Sequence, residues 1–454
     1  MATFSPVDLL VRNAGYIVTM DGPELPGGWV SIRGGFIDAV GASGTAEPPA
    51  RETLDARGGL ITPGLICTHH HIYQNLTRNW FADELARGLF AWLVKLNPIW
   101  AYLDEEASYL STWVALAEMA LGGCTCSSDH LNNHPKPNLI DAQIRAARDV
   151  GVRFYPTRGA MDLGVRHGSI TADACAQDID EILSDCQRLV ERYHEREKGA
   201  FIRIGIAPCN PFSTTMELMK RSAELAEKLD VRLHTHLAES KDEENFCLEK
   251  LGMRPMDRFR ECGWDSGRTW VAHGVCLDEA ELTHMGKCRC GIAHCPTSNI
   301  FFSKTVGDIN LMRRLGVPVG LGVDGGASAG HGSMYHETRL TMLASQLRTG
   351  TTLTRARDAL EHATIGGAQC LGREDDLGKI AVGYCADLVV WPFSGIFFSG
   401  FHGDAVEAWL RNGPLFAQET IVAGKRVVSG GRLQLSDFEE KLAAHQRVSD
   451  AWWR

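Results

Sequence analysis

The chain has 454 residues, 44% apolar and 22% charged, a composition that fits a globular protein and excludes disorder. With 46 basic and 56 acidic residues the formal net charge is −10, the wrong sign for a nucleic-acid or anionic-membrane binder. The length accommodates a barrel of about 250 residues plus a second domain.

The first twenty residues lack the basic start and clean apolar stretch of a secretory leader. No segment holds the roughly 18 consecutive apolar residues of a membrane span. A cytoplasmic protein is expected, with its fourteen scattered cysteines as reduced thiols. Cys124 and Cys126 are too close for an ordinary disulfide and read as buried small hydrophobes. Residues 7–60 read as short strands broken by glycine pairs, as in 27–41 and 52–64. From 61 to 375, apolar strands alternate with amphipathic helices: 201–209, then a helix over 216–230, then strands in 231–240, 269–275, 290–298 and 318–326. This alternation predicts an α/β fold, most simply a parallel (β/α)8 TIM-type barrel. Segments 384–393 and 416–433 return to strands with glycine turns. The two β-rich ends, 1–60 and 376–454, are expected to combine in a small composite β-sandwich.

Chemistry concentrates at strand ends. Side chains alternate along a strand, so His69 and His71 share a face and His70 takes the other. Two imidazoles there make half a metal site, or else a hydrogen-bonded polar strand end. His234 and His236 end another strand, with Glu239 three residues on; His273 and Asp324 end two more. All of these fall at the C-terminal mouth of a barrel, its catalytic face. Spacing does not choose between His234 and His236. Asp129-His130 and His294 read as support for the site. Gln74, Arg158 and Cys209 stand just past strand ends as candidate substrate contacts. A helix-cap glutamine, an ion pair to Asp129 or another acid, and a packed thiol are the respective alternatives. Trp80, Phe81, Phe90 and Trp92 either stack on a flat ring or pack a loop.

The segments PGLICTHHH, HTHLAES, VAHGV, AHCPTSN, GLGVDGGAS and GKIAVGYCADLVVW together resemble the amidohydrolase superfamily, in its cytosine/guanine deaminase and s-triazine hydrolase branch. The resemblance covers nearly the whole chain. HHHIYQNLTR, SSDHLNN, FYPTRGAMDLG and APCNPFS are most similar to 8-oxoguanine deaminases. It implies one divalent ion per chain, Zn²⁺ or alternatively Fe²⁺, held by His69, His71, His236 and Asp324. It favours His236 over His234 because the acid follows the ligand by three residues. A bridging lysine, found in two-metal relatives, has no counterpart here. Asp324 and His273 are implied to orient the metal-activated water and take its proton, and Glu239 to protonate the ring nitrogen beside the attacked carbon.

The implied substrate is a small amino-substituted nitrogen heterocycle: an 8-oxoguanine-like purine, isocytosine or an oxopterin. Gln74 and Arg158 are expected on its carbonyl. No nucleic-acid or membrane partner is expected, and a homo-oligomer is. Displacing chloride or an alkylamine from an s-triazine, and pterin deamination, are the alternatives; a non-catalytic scaffold is a remote one. Three stretches depart from the 8-oxoguanine deaminase pattern: 326–331, 300–304, and Asp162 with Arg166-His167.

Overall fold

The computed structural model describes residues 5–350, 354–413 and 415–454. Eight parallel strands form its centre: β1 (Leu65–Cys67), β2 (Cys124–Leu131), β3 (Arg153–Ala160), β4 (Gly205–Pro208), β5 (Leu233–Leu237), β6 (Thr269–His273), β7 (Gly291–His294) and β8 (Val319–Leu321). They pair in sequence order, and β8 closes on β1 at Leu321 and Cys67. Every residue of β2 and β3 is buried, which is why barrel strands read as continuous runs rather than alternating ones. The outer helices carry one apolar stripe; Met216–Leu229 buries Leu218, Met219, Ser222 and Ala226. Their starts are capped. Thr215 accepts from the Leu218 amide, and Asp278 and Glu281 form a reciprocal capping box.

The sandwich has one sheet drawn only from the N-terminal segment, in the order Phe36–Ala42, Gly28–Arg33, Val7–Ala14, Ala50–Asp55. The hairpin between its first two strands turns at Gly34 and Gly35, both at positive φ (59° and 81°), the conformation a two-residue turn demands. The second sheet mixes both chain ends. Leu60–Pro63 runs antiparallel to Leu388–Trp391, which continues to Glu419–Val422. Leu9, Val30, Ile61, Leu388 and Ile421 share the sandwich core. The break expected after residue 60 therefore falls inside a sandwich strand. The final helix, Phe438–Trp453, leaves the sandwich and packs on the barrel helix Glu105–Leu121.

Arg153 of β3 joins barrel to sandwich through a two-pronged ion pair with Asp387 (2.8 and 3.1 Å), with both side chains buried. All fourteen cysteines are free thiols. Among the described residues no helix is long and apolar enough to cross a membrane.

Candidate active site

Past its last paired residue, β1 runs into Thr68 and His69. His70 and His71 then pair in parallel with Asp324 and Gly325, just beyond β8. His236 lies on β5, and His273 ends β6. Asp324 and His273 hold positive φ (58° and 76°), which a side chain with a Cβ disfavours and which clusters at functional sites. Two sets of metal-ligating side chains result: His69, His71, His130 and His236, and His69, His273 and Asp324. His69 belongs to both, so the sets form one buried cluster.

The hydrogen-bond network fixes which ring nitrogens carry protons. A backbone carbonyl only accepts. His71 Nδ1 therefore donates to the His130 carbonyl (2.7 Å), and His236 Nδ1 to that of Cys209 (2.8 Å). His234 Nδ1 donates to the Trp270 carbonyl (2.9 Å), so its Nε2 accepts the proton of His69 Nδ1 (2.8 Å). Burial holds these imidazoles below their ordinary pKa, His234 at about 3, so each is neutral with one proton. Three Nε2 lone pairs are left facing inward. His71 Nε2 and His236 Nε2 stand 3.0 Å apart with no proton between them. His69 Nε2 is 3.3 Å and His71 Nε2 3.7 Å from Asp324 Oδ1. Lone pairs this close repel unless a cation lies among them. Three neutral imidazoles and one carboxylate, each oriented by an outer hydrogen bond, fit a zinc-type ion.

Two further groups lean over this cluster. His273 donates Nδ1–H to Asn299 Oδ1 (2.9 Å), leaving Nε2 buried without a partner and 3.7 Å from Glu239 Oε1. Burial, and then the nearby Asp324 and Glu243 carboxylates, push the Glu239 carboxyl well above its usual range, so it holds its proton. Its backbone is pinned: the Ala238 and Glu239 amides donate to Glu243 (3.0 and 2.8 Å), and Ser303 donates to the Glu239 carbonyl.

The cluster opens into a small cavity. Gln74, Asn132, Cys209, Asn210 and Ser328 form its polar lining; Leu89, Trp92, Leu93, Trp100, Phe212 and Phe302 form an apolar one. Gln74 Oε1 is buried and unpartnered, and lies so close to Gly325 that any β-carbon there would stand 1.7 Å from it. Cys209 lines the cavity as a neutral thiol, burial pushing it up to about 12. Ser328, in a stretch that departs from the 8-oxoguanine deaminase pattern, donates to Asp324 Oδ2 (3.3 Å).

Several expected residues lie elsewhere. Arg158 does not reach the cavity. Its side chain turns outward from β3, pairs with Asp185 (2.8 Å) and donates to Gln177 and the Gly159 carbonyl. The expected substrate contact is corrected to a structural ion pair, with Asp185 rather than Asp129. Asp129 instead accepts from the Ile72 amide and from Gln143 (both 2.7 Å), steadying the turn after His71. Trp80 and Phe81 pack on Trp453 of the last helix, and Phe90 packs behind Phe212; only Trp92 of the four aromatics faces the cavity. Asp162 is taken up by Thr215 (2.5 and 2.8 Å). His294 lies in neither ligand set, whereas His130 joins one and donates to the Ala207 carbonyl (2.9 Å). Sequence reasoning missed Tyr73, Asn132, Asn210, Glu243 and Phe302. Asn132 directly follows β2 and Asn210 stands two residues past β4, a signal that was available.

The sequence profile of the amidohydrolase family matches residues 60–427. The chain is 39% identical to an 8-oxoguanine deaminase of Pseudomonas aeruginosa, over 97% of this chain and 98% of that one. It is 35% identical to a hydroxydechloroatrazine ethylaminohydrolase of Pseudomonas sp. strain ADP, over 96% and 90%. Its fold is similar to the crystal structure of an atrazine chlorohydrolase from Arthrobacter aurescens TC1 complexed with zinc. That match has a TM-score of 0.90 at 29% identity and covers 97% and 100% of the two chains.

Proposed function

This chain belongs to the amidohydrolase family, and we propose that it is a hydrolytic deaminase of an amino-substituted nitrogen heterocycle, holding one zinc-type ion on His69, His71, His236 and Asp324. One observation carries the reading: a protonated Glu239 and a proton-accepting His273 Nε2 stand 3.7 Å apart over the ligand cluster. Bound there, a divalent ion supplies the Lewis acidity that makes water nucleophilic near neutral pH.

The chain's own groups handle the protons. His273 Nε2, with Asp324, takes the proton of the attacking water. Glu239 gives its proton to the ring nitrogen beside the attacked carbon, which makes that carbon more electrophilic. The first water proton is passed on to the exocyclic amine, the C–N bond breaks and ammonia leaves, while the second water proton goes to Glu239 and restores its carboxyl as the ring carbonyl forms. Water and an amino-ring become an oxo-ring and ammonia, with no other reactant. Each positioned proton transfer is worth roughly 10²–10⁴ in rate. Gln74, its acceptor oxygen unpartnered, is suited to a ring N–H.

The relatives support C–N hydrolysis on flat rings, 8-oxoguanine by name in one and an ethylamino-triazine type in the other. The apolar lining of Leu89, Leu93 and Phe302 favours one second reading, in which an alkylamine leaves a triazine ring. Fourteen free thiols support a reducing, cytoplasmic setting, and the exposed Leu347, Ile396 and Phe397 support self-association.

A screen of zinc-loaded protein for ammonia release tests the proposal, over rings that include 8-oxoguanine, isocytosine, an oxopterin and alkylamino-triazines. Ammonia from an amino-oxo ring is the expected result. Release of only chloride or alkylamine would replace it with the triazine reading, and no release from any ring would overturn both.

A further inference from the structure

With Arg158 turned outward, the cavity contains no cationic side chain to read a ring carbonyl. It does contain three side-chain amides, Gln74, Asn132 and Asn210, and hydrogen bonds to the oxygens of the last two set their orientation. Asn133 donates to the Tyr73 hydroxyl (2.7 Å), so Tyr73 gives its own proton to Asn132 Oδ1 (3.0 Å). This fixes the Asn132 amide with its nitrogen turned away from Tyr73. Ser213 donates to Asn210 Oδ1 (2.7 Å) and fixes that amide in the same way.

Both nitrogens then meet only sulfur. Asn132 Nδ2 has the Met161 thioether at 3.9 Å, and Asn210 Nδ2 has the Cys209 thiol at 3.2 Å. Asn132 also approaches the Cys209 thiol, which places the two amides around one sulfur. Sulfur is a weak acceptor, and a donor withdrawn from water and left short of a proper acceptor is costly; Asn210 is buried and Asn132 half-buried. Among the described residues no protein oxygen accepts from either N–H₂ group. A ligand oxygen with two lone pairs would complete both.

We infer that Asn132 and Asn210 form a carbonyl-binding corner that takes a lactam- or urea-type ring oxygen between their N–H₂ groups, and so select oxo-bearing rings. The inference rests on the heterocycle reading given above. It also specifies neutrality: an amide pair with no cation beside it suits an uncharged carbonyl, whereas a carboxylate or phosphate substituent would be buried without a counter-charge.

The test compares rings that differ by one carbonyl, such as isocytosine and 2-aminopyrimidine. Their intrinsic reactivities differ, so the readout is how far each variant changes the kcat/KM ratio of the pair, a quantity from which ring reactivity cancels. Asn132→Leu and Asn210→Leu are each expected to lower the preference for the oxo ring by about tenfold or more. Asn132→Asp keeps the acceptor that Tyr73 needs while removing the N–H₂ group, and is expected to do the same if the leucine variant folds poorly. Arg158→Met, which lies outside the cavity, leaves the ratio unchanged. A change below about threefold in both asparagine series would overturn the inference. If no ring releases ammonia, the proposed reaction fails on its own. The corner is then read from dissociation constants of the same rings, by quenching of the cavity tryptophans Trp92 and Trp100, with the same two outcomes.

Discussion

The two sides of the cavity are finished to different degrees. On the ligand-cluster side every imidazole N–H has a strong acceptor: a backbone carbonyl for His71, His234 and His236, and a second imidazole for His69. What remains unsatisfied there is lone pairs, which call for a cation. Beside the cluster, near the Cys209 thiol, the amides of Asn132 and Asn210 are oriented just as firmly, yet their donors end on sulfur. What remains there is N–H, which calls for an oxygen. Each side leaves open the half of a bond that its ligand brings. Preorganised groups of this kind cost no reorientation when the ligand arrives.

The sharpest way to break this contrast is to remove a group from the cluster. His236→Ala or Asp324→Ala leaves three ligands of four, and both metal content and turnover should be lost, turnover by more than about 10⁴-fold on the scale of removing a catalytic metal. Elemental analysis of the parent should give about one zinc or iron per chain. Two per chain, or full activity in metal-free protein, would refute the four-ligand site. Next comes Glu239→Gln, which keeps shape and hydrogen bonding but has no acidic proton. A rate loss of roughly 10²–10⁴ with metal retained is expected. Activity within about threefold of the parent would remove Glu239 from the proton path.

A smaller effect probes the outer support. His234 holds His69 in the tautomer that presents Nε2 to the cluster, and it touches nothing else that reacts. His234→Ala should weaken metal binding by about 10–100-fold, measured by competition with a chelator, while leaving the fold intact. Unchanged metal affinity would mean that His69 does not need that acceptor.

How much of this was legible in the sequence follows the same division. The metal side is written locally. His236 and His273 lie at or near the ends of β5 and β6, and His69, His71 and Asp324 lie two to four residues past β1 and β8, where barrel geometry dictates where they face. The composite sandwich was also legible, because glycine-punctuated strands recur at both ends; its edge was misplaced because Leu60–Pro63 is as apolar as the barrel strand that follows. His234 and His236 share a face, and their long-range partners separate their roles: His234 donates to the Trp270 carbonyl and accepts from His69, whereas His236 donates to the Cys209 carbonyl. The substrate side depends on long-range partners instead. Arg158 lies near the end of β3, as a substrate contact would, but Asp185, 27 residues on, claims it. Asn132 and Asn210 become a pair only because β2 and β4 bring them around one thiol, and no local spacing encodes that.

The least effect, and a direct check on Arg158, is in stability and its pH dependence. Arg158→Met removes one partner of Asp185, which keeps Arg188 (2.8 Å), so a loss of about 1–3 kcal/mol is expected from denaturant midpoints at neutral pH. Burial alone would raise the Asp185 carboxyl, but Arg158 and then Arg188 more than offset it, and the net value lies below the usual carboxylate range. A depressed carboxyl contributes stability that is complete above its unfolded pKa of about 3.9 and is lost as pH falls through the folded value. Without Arg158 the depression is smaller, so the variant has less to lose in acid. His134 acts in the same sense. Burial, and then Arg158, hold it well below its ordinary pKa, which costs the folded parent stability as the unfolded chain protonates below about pH 6.5. Both groups therefore narrow the gap between parent and Arg158→Met as pH falls from 7 toward 3. Stability curves that stay parallel across that range would show that the Arg158–Asp185 pair is not what the substitution removes.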